Sequence, residues 1–288
     1  MGYSARYHAT SLIAVFLALA IGIVIGAVLG ANTIDDTRRD LEQSLTGNLQ
    51  DARERADELS TELDHADEFS SQAYPFLVRD QLRGARIGLL AFGDLPDDVF
   101  DAIEEALEPT GGRLVAVGVV REPVDMRGLA GNLARTRFAP LARDPEAQSA
   151  LGAGVGRQLV RGGTLLEPVR DRLFSRASGN FGGLDGVIVV RDQPEDMGPQ
   201  QRQIAGRIES GLAVGVVATR APAVGVEDSD AEPSSIPFYA SNDLASVDDI
   251  DLVAGKVATV FALLGAEGSF GVKGSADRLL PDLLAPRR

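Results

Sequence analysis

The sequence predicts an α/β protein in three parts: an N-terminal transmembrane helix, a coiled-coil stalk and a three-layer domain with a mainly parallel sheet. Three observations predict this order. Residues 11–31 are apolar and uncharged, residues 35–73 are rich in charged residues and leucine, and residues 77–288 alternate short apolar runs with helical patterns. Short runs that are apolar throughout and are separated by helices are typical of a parallel sheet covered on both faces.

Residues 11–31 predict a membrane-spanning helix behind a short tail, residues 1–10. At about 1.5 Å per residue the run covers roughly 32 Å, against a hydrocarbon core of about 30 Å. A cleaved signal peptide is the alternative, but its apolar region is usually about 7 to 15 residues long and ends at a small-x-small site. Val28 and Leu29 interrupt such a site here. We therefore expect an uncleaved, single-pass anchor in the cell membrane or envelope.

The orientation of this anchor does not follow from charge alone. Arg6 precedes the apolar run, and Arg38 and Arg39 follow it closely, so positive residues flank both ends. A tail of ten residues is easily retained while a large domain is translocated. We expect the N-terminus in the cytoplasm and the C-terminal domain outside it.

Small residues recur every four positions within the apolar run and therefore share one face of its helix. Such a face lets two helix backbones approach closely in a bilayer. The alternative is that glycine and alanine are simply common in membrane helices. The candidate helix-packing residues are Ala14, Ala18, Gly22, Gly26 and Gly30.

Composition restricts the partners of the 288-residue chain, whose formal net charge is −14. An acidic surface repels phosphate groups, so we expect no nucleic acid partner. The chain has no cysteine, which excludes disulfides and thiolate chemistry.

Residues 35–73 predict a long helix with a heptad seam. With Leu49 at position a, the seam comprises Leu49, Ala56 and Leu63 at a, and Leu45, Ala52, Leu59 and Ala66 at d. In a parallel self-pair the flanking charges do not attract, and Glu62 would face Asp67. A different helix is therefore the preferred partner, although self-association and a solvated single helix remain alternatives. The candidate partner-binding residues are Leu45, Leu49, Leu59 and Leu63.

The domain at residues 77–288 begins after Tyr74-Pro75, where proline is expected to end the long helix. Helical spacing and glycine breaks fill the intervals between the apolar runs, with Gly211 expected to end the helix that begins at Pro199. Four strands are predicted, at residues 87–92, 114–120, 186–190 and 213–219, with a further extended piece near Val247.

Ligands of parallel sheets bind beyond the carboxyl ends of the strands. The residues predicted there are Gly93, Asp94, Arg121, Glu122, Arg191, Asp192 and Arg220. Their arginines suit an anionic ligand, and the alternative is that they are turn charges that pair with one another. The glycine-rich and P-loop signatures of nucleotide sites are absent, and the glycines of residues 152–156 indicate only flexibility.

The residue inventory argues against an enzyme. The only histidines are His8 and His65, which precede the C-terminal domain, so that domain has neither an imidazole nor a thiol for nucleophilic catalysis or zinc binding. Acidic doublets, among them Asp248-Asp249, are interpreted as solvated faces. No catalytic, cofactor or metal residue can be assigned.

The N-terminal motif Arg6-Tyr7-His8, leading into the apolar run, resembles the start of the actinobacterial copper transporter B (MctB) family. Ser269-Phe270-Gly271 and Leu279-Leu280-Pro281 extend the resemblance over nearly the full length. The resemblance implies a cell-envelope protein of copper transport or homeostasis. Some relatives look instead like partners in envelope assembly and cell separation, which implies the alternative of a non-enzymatic scaffold that docks a partner.

Copper itself is implied only by this resemblance. Cu(I) prefers thiolate, thioether or imidazole ligands. Besides the two histidines, the chain offers only Met1, Met126 and Met197, in distant segments. No copper site can be assigned from these residues.

Overall fold

The computed structural model describes residues 5–194 and 196–282, with side chains in the first helix described at residues 10–28, 41 and 44–78. The chain divides into two compact units, Met1–Asp67 and Glu68–Arg288. The helices are α1 Ala5–Val78, α2 Asp97–Leu107, α3 Met126–Asn132, α4 Pro145–Arg161, α5 Leu166–Leu173, α6 Pro199–Val217, α7 Ile236–Ser241 and α8 Val253–Leu263. The strands are β1 Arg86–Gly93, β2 Arg113–Val120, β3 Phe174–Gly179, β4 Gly186–Asp192, β5 Ala223–Val226, β6 Ala245–Val247 and β7 Ser269–Phe270.

The first unit contains residues 5–67 of helix α1, whose segment Thr10–Val28 is long and apolar enough to cross a membrane. The mean hydropathy of this segment is 2.8, and none of it is buried within the chain. The predicted apolar N-terminal helix is therefore confirmed. The stalk segment continues the same helix. A single helix does not by itself show a coiled coil, so that part of the interpretation stays a prediction.

Proline does not end the long helix where we expected it to. Pro75 lies inside α1, which continues to Val78. The neighbouring side chains belong to the second unit and pack within it: Tyr74 is buried and donates a hydrogen bond to the Ala106 carbonyl at 2.7 Å, and Val78 is fully buried. Packing of this last turn therefore outweighs the local cost of proline.

The second unit is built on a seven-stranded sheet with the order β3-β2-β1-β4-β5-β6-β7. All neighbouring pairs are parallel except β2 and β3, which are antiparallel. The predicted strands at residues 87–92, 114–120 and 186–190 are confirmed, as is the mainly parallel sheet. The edge strand β3 and the short strand β7 were not expected.

The core lies on both faces of this sheet. Alternate residues of β1 point to opposite sides, since Leu89 joins a cluster with α2 and α8, whereas Leu90 joins a cluster with α4 and α6. Both residues are almost fully buried. This arrangement of helix, sheet and helix is the three-layer architecture that the apolar strands predicted.

The prediction of a strand at residues 213–219 is wrong, because α6 continues through Gly211 to Val217. Gly211 is an interior contact and not a helix end: a Cβ added there would lie 2.5 Å from the Ser149 carbonyl oxygen of α4. Gly152 of α4 is equally close, since its added Cβ would lie 2.9 Å from the Gly211 Cα. The glycines of α4, which we interpreted as a sign of flexibility, instead allow α4 and α6 to pack backbone against backbone.

Candidate functional site

The candidate site lies at the carboxyl edge of the sheet, where the parallel strands end. Strand β1 has β2 on one side and β4 on the other, which makes this edge the place where strand order reverses and where ligands of such folds bind. Gly93 closes β1 with φ +82°, and a side chain there would overlap the backbone of Asp192. The Asp94 amide then donates to the Asp192 carbonyl at 2.9 Å, which joins the two strand ends.

An ion pair is buried at the end of β4. Arg191 Nε donates to Glu209 Oε2 at 2.7 Å, and Gln193 Nε2 donates to the other carboxylate oxygen at 2.5 Å. Glu209 comes from α6 and is fully buried. The Arg191 guanidinium also lies 4.6 Å from the centre of the Phe238 ring. Because its charge and its planar face are both engaged, Arg191 acts as a fixed part of the site.

Glu122, two residues after β2, adds a second carboxyl group beside Glu209. Both of its carboxyl oxygens are buried, and neither accepts a hydrogen bond from the described residues. Burial, together with hydrogen bonding to Glu209 and the charge of Glu209, raises the pKa of Glu122 to about 9, although Arg191 opposes the shift. At neutral pH Glu122 is therefore a protonated acid that can donate its hydrogen to the Glu209 carboxylate.

The ends of β5, β6 and β7 carry a second group, which we call the edge network: Glu227, Ser235, Asp248, Asp251 and Lys273. Lys273 Nζ lies 2.7 Å from Glu227 Oε1, and the Ser235 amide donates to Glu227 Oε2 at 2.5 Å. Asp248 is fully buried and accepts from the Lys273 amide at 3.2 Å and from a neighbouring amide at 2.8 Å. Backbone amides and one lysine thus compensate two buried carboxylates.

A groove of about 710 Å³ opens beside the edge network. It is lined by residues 229–234, which include Asp230 and Glu232, and by Lys273. Lys273 is already bonded to Glu227 and to the Ala231 carbonyl at 3.1 Å. Because its cation is engaged and its other charged residues are acidic, this groove suits a neutral or cationic ligand better than an anion.

The structure brings together only part of the predicted strand-end set. Glu122, Asp94 and Arg191 meet at the reversal point, since the charges of Asp94 and Arg191 both act on Glu122. Arg121 is exposed and donates to the Phe174 carbonyl of β3 at 3.3 Å. Arg220 precedes β5 and follows a helix, so its predicted place at a strand end is wrong.

Sequence reasoning missed four of the buried charged residues: Glu209, Glu227, Asp248 and Asp249. Glu209 lies within a helix, far in sequence from any strand end, and no local pattern marks it. Glu227 follows β5, a four-residue strand that was not predicted. Asp248 was interpreted as part of a solvated doublet, yet Asp248 and Asp249 are both fully buried. A carboxylate directly after the extended piece near Val247 was the signal that could have revealed this position.

Metal-binding side chains do not cluster in the described part of the chain, where no group of three or more histidine, cysteine or acidic residues is placed to hold an ion. Met197 is buried in the segment between β4 and α6, and Met126 begins α3. The copper role therefore rests on family membership, and no described cluster of side chains identifies a copper site.

Comparison with known families decides the class of the protein. A family model described as "Copper transport outer membrane protein, MctB" matches residues 3–281, almost the whole chain. The chain belongs to the MctB family. No curated protein matches the chain. As a member of the MctB family with a candidate membrane-spanning helix at Thr10–Val28, it is a membrane protein related to copper transport.

Proposed function

We propose that this MctB family member serves copper transport as a single-pass, envelope-anchored binding protein that catalyses no covalent reaction. The observation that carries the proposal is the match of one family model to both the apolar helix and the α/β domain, over residues 3–281. A domain matched together with its anchor is expected to work close to the membrane, and the candidate span is Thr10–Val28.

The character of the span favours an anchor over a conduit. Residues 11–28 carry no charged side chain, and Ser11 is their only polar residue. An ion pathway needs polar groups or backbone carbonyls to replace the hydration of the ion. A single helix of this composition supplies neither, so copper movement would depend on other proteins or on many copies.

Binding is also favoured over catalysis by the chemistry of the carboxyl edge. Glu209 is paired with Arg191, and Glu227 is paired with Lys273. The domain has no histidine or cysteine that could act as a nucleophile or general base. Carboxyl groups that are buried and paired in this way are suited to supporting the shape of the edge and not to acting as free acids or bases.

The decisive experiment compares cellular copper in a deletion strain, in its parent and in a strain complemented with the full chain. We expect the deletion to change cellular copper at elevated external copper and the full chain to restore it. A chain lacking residues 1–28 should fail to restore it, because the domain would lose its anchor. Equal copper contents in the deletion and parent strains would refute the proposal.

For the orientation, we propose that the N-terminus lies in the cytoplasm and the domain beyond the membrane. Protease added to intact spheroplasts should then digest the C-terminal domain without lysis, while a cytoplasmic marker survives. Digestion only after lysis would place the domain on the cytoplasmic side.

A second candidate function is docking of an envelope partner through the stalk. The predicted seam residues Leu45, Leu49, Leu59 and Leu63 are between 53% and 64% exposed in the structure. Buried leucines stabilise by about 1.5–3 kcal/mol each, which is a reason for such a face to bind another helix. We propose a helix of another protein as the occupant, since the flanking charges of a self-pair do not attract.

Site-directed photocrosslinking in membranes tests this docking. Probes at Leu59 and Leu63 should trap a heterologous protein, whereas a probe at Thr61, on another face of the helix, should not. Homodimeric products would indicate self-association, and uncrosslinked monomer at every position would remove the docking proposal.

We further propose that the small residues of the span pack against another membrane helix. Added Cβ atoms at Gly22 and Gly26 would meet nothing within 4 Å, so this face is open in the chain. The side-chain surroundings of Gly30 lie outside the described residues. Gly22→Ile should reduce crosslinking between this span and another membrane helix more than Ile23→Leu does. Equal effects of the two substitutions would contradict the proposal.

A further inference from the structure

One buried carboxyl group beside the edge network has no hydrogen-bond partner in the part of the chain that the structure describes. Asp249 follows Asp248 and is fully buried, yet neither Oδ1 nor Oδ2 accepts a hydrogen bond from the described residues. By contrast, Asp248 accepts from two backbone amides, and Asp251 accepts from Ser229 Oγ at 2.7 Å. A buried carboxylate without donors is strongly unfavourable, whereas the protonated acid is tolerated.

The charges around Asp249 make its ionisation harder. Burial, followed by the charges of Asp248 and Asp251, raises the pKa of Asp249 to about 7. Asp228, in the loop after β5, adds a further carboxyl group, and burial with the charges of Asp251 and Asp98 raises its pKa to about 6. These groups bring negative charge from three segments to one end of the domain.

The cations of the neighbouring elements are already paired. On α8, Lys256 lies 2.5 Å from Glu105 of α2, and Lys273 lies 2.7 Å from Glu227. Asp249 therefore has no compensating charge among these groups.

The backbone around Asp249 ties the edge network together. The Asp249 carbonyl accepts from the Leu252 amide at 2.9 Å, and the Ile250 amide donates to the Glu227 carbonyl at 3.1 Å. Helix α8 begins directly afterwards, and an added Cβ at Gly255 would lie 2.6 Å from Asp249 Oδ1. Gly255 therefore brings the backbone of α8 directly against Asp249. Because the carboxyl group accepts no hydrogen bond from the described residues in this packing, we expect its ionisation to be relieved by movement of segment 248–252.

We propose that Asp249 is a proton-operated latch: its neutral, protonated form allows segment 248–252 to stay packed against α8, and its ionisation releases that segment and loosens the groove beside Lys273. Asp251 would transmit the release, because it holds Ser229 through two hydrogen bonds, at 2.8 Å from the amide and 2.7 Å from the hydroxyl. Ser229 begins the loop that lines the groove.

Hydrogen exchange of the full-length protein in detergent micelles, at pH 6 and pH 8, tests the latch. After correction for intrinsic exchange, the amides of residues 249–255 should exchange about tenfold faster at pH 8, because folded Asp249 is largely protonated at the lower pH and largely ionised at the higher. Asp249→Asn keeps the shape of the neutral acid and should remove this pH dependence. Asp101→Asn, at an exposed position of α2, should keep it.

Three outcomes would overturn the proposal. The first is an equal pH dependence in the wild type and Asp249→Asn. The second is a return of protection at pH 8 when Ca²⁺ or Mg²⁺ is added to the wild type, which would show a cation site in place of a proton site. The third is the absence of a buried carboxylic acid that titrates near pH 7 in the wild type. Infrared titration of the carboxyl C=O bands measures this, and it does not depend on the folding of any variant.

Discussion

Replacing Glu122 by glutamine tests the electrostatics of the carboxyl edge directly. Both carboxyl oxygens of Glu122 are buried beside Glu209, and the pKa of Glu122 is raised from 4.5 to about 9. At pH 7 the group is therefore ionised in the unfolded chain and protonated in the folded one. The folded state binds the additional proton, so the stability of the wild type falls as pH rises from about 4.5 towards 9.

The size of this loss of stability follows from the difference between pH 7 and the ordinary pKa of 4.5. At about 1.4 kcal/mol per pH unit, the folded protein loses about 3 kcal/mol at pH 7 and less than about 1 kcal/mol at pH 5. Glutamine is neutral at both pH values and can still donate to Glu209. We expect Glu122→Gln to be more stable than the wild type by up to about 3 kcal/mol at pH 7.

Differential scanning calorimetry of the full-length protein in detergent measures this difference. For a domain of about 200 residues, 3 kcal/mol corresponds to a rise in Tm of about 5–10 °C at pH 7, and the rise should shrink to about a quarter of that at pH 5. Glu104→Gln, at an exposed position of α2, is the control and should change stability by less than about 0.5 kcal/mol. A Tm difference that is the same at both pH values, or a loss of stability at pH 7, would refute the reasoning.

Three further substitutions test the packing and the buried ion pair by denaturant unfolding. Gly211→Ala should destabilise the folded protein by about 1–3 kcal/mol, because the added methyl group pushes α6 away from α4. Gly206→Ala, in open space on the same helix, should stabilise it by up to about 1 kcal/mol. Equal effects of the two substitutions would contradict the close crossing. Tyr74→Phe deletes a buried hydrogen bond and should cost about 1 kcal/mol, and no loss would argue against this contact. Arg191→Ala leaves the buried Glu209 carboxylate without its cation and should lower the free energy of unfolding by about 3–5 kcal/mol. Adding Glu209→Gln to the same chain should restore part of this loss.

The carboxyl edge gives the family assignment a physical context. Glu209 of α6 is held by Arg191, and the buried acids at the ends of β5 and β6 are held by Lys273 and backbone amides. The adjoining groove is acidic. The acidic groove suits cations better than anions. The anionic ligand that the arginines suggested is disfavoured, because Arg191 is neutralised by Glu209 and Arg220 lies elsewhere.

Strands and helices were predictable where their signals were local. The apolar runs of β1, β2 and β4 have the length and flanking glycines of buried strands, so their positions followed from sequence. Strand β5 did not, since its four residues include Gly225, which leaves room for the Tyr239 ring packed over it. Residues 213–219 are equally apolar, yet residues 213–217 form the end of α6. Apolar composition alone does not distinguish a buried segment of helix from a strand, which is why this prediction failed.

The amino-acid sequence by itself was enough to predict the apolar span, the long helix behind it, the mainly parallel sheet and the family. The length of a run, its periodicity and its motifs are properties of residues that are neighbours in sequence. Only the tertiary structure decided that α6 continues through Gly211 and that Glu122, Arg191 and Glu209 meet. The physical reason is that parallel strands bring distant segments to one edge and that two glycine-lined helices pack at backbone distance. Both are long-range contacts, whose energies outweigh the local preferences that a sequence displays.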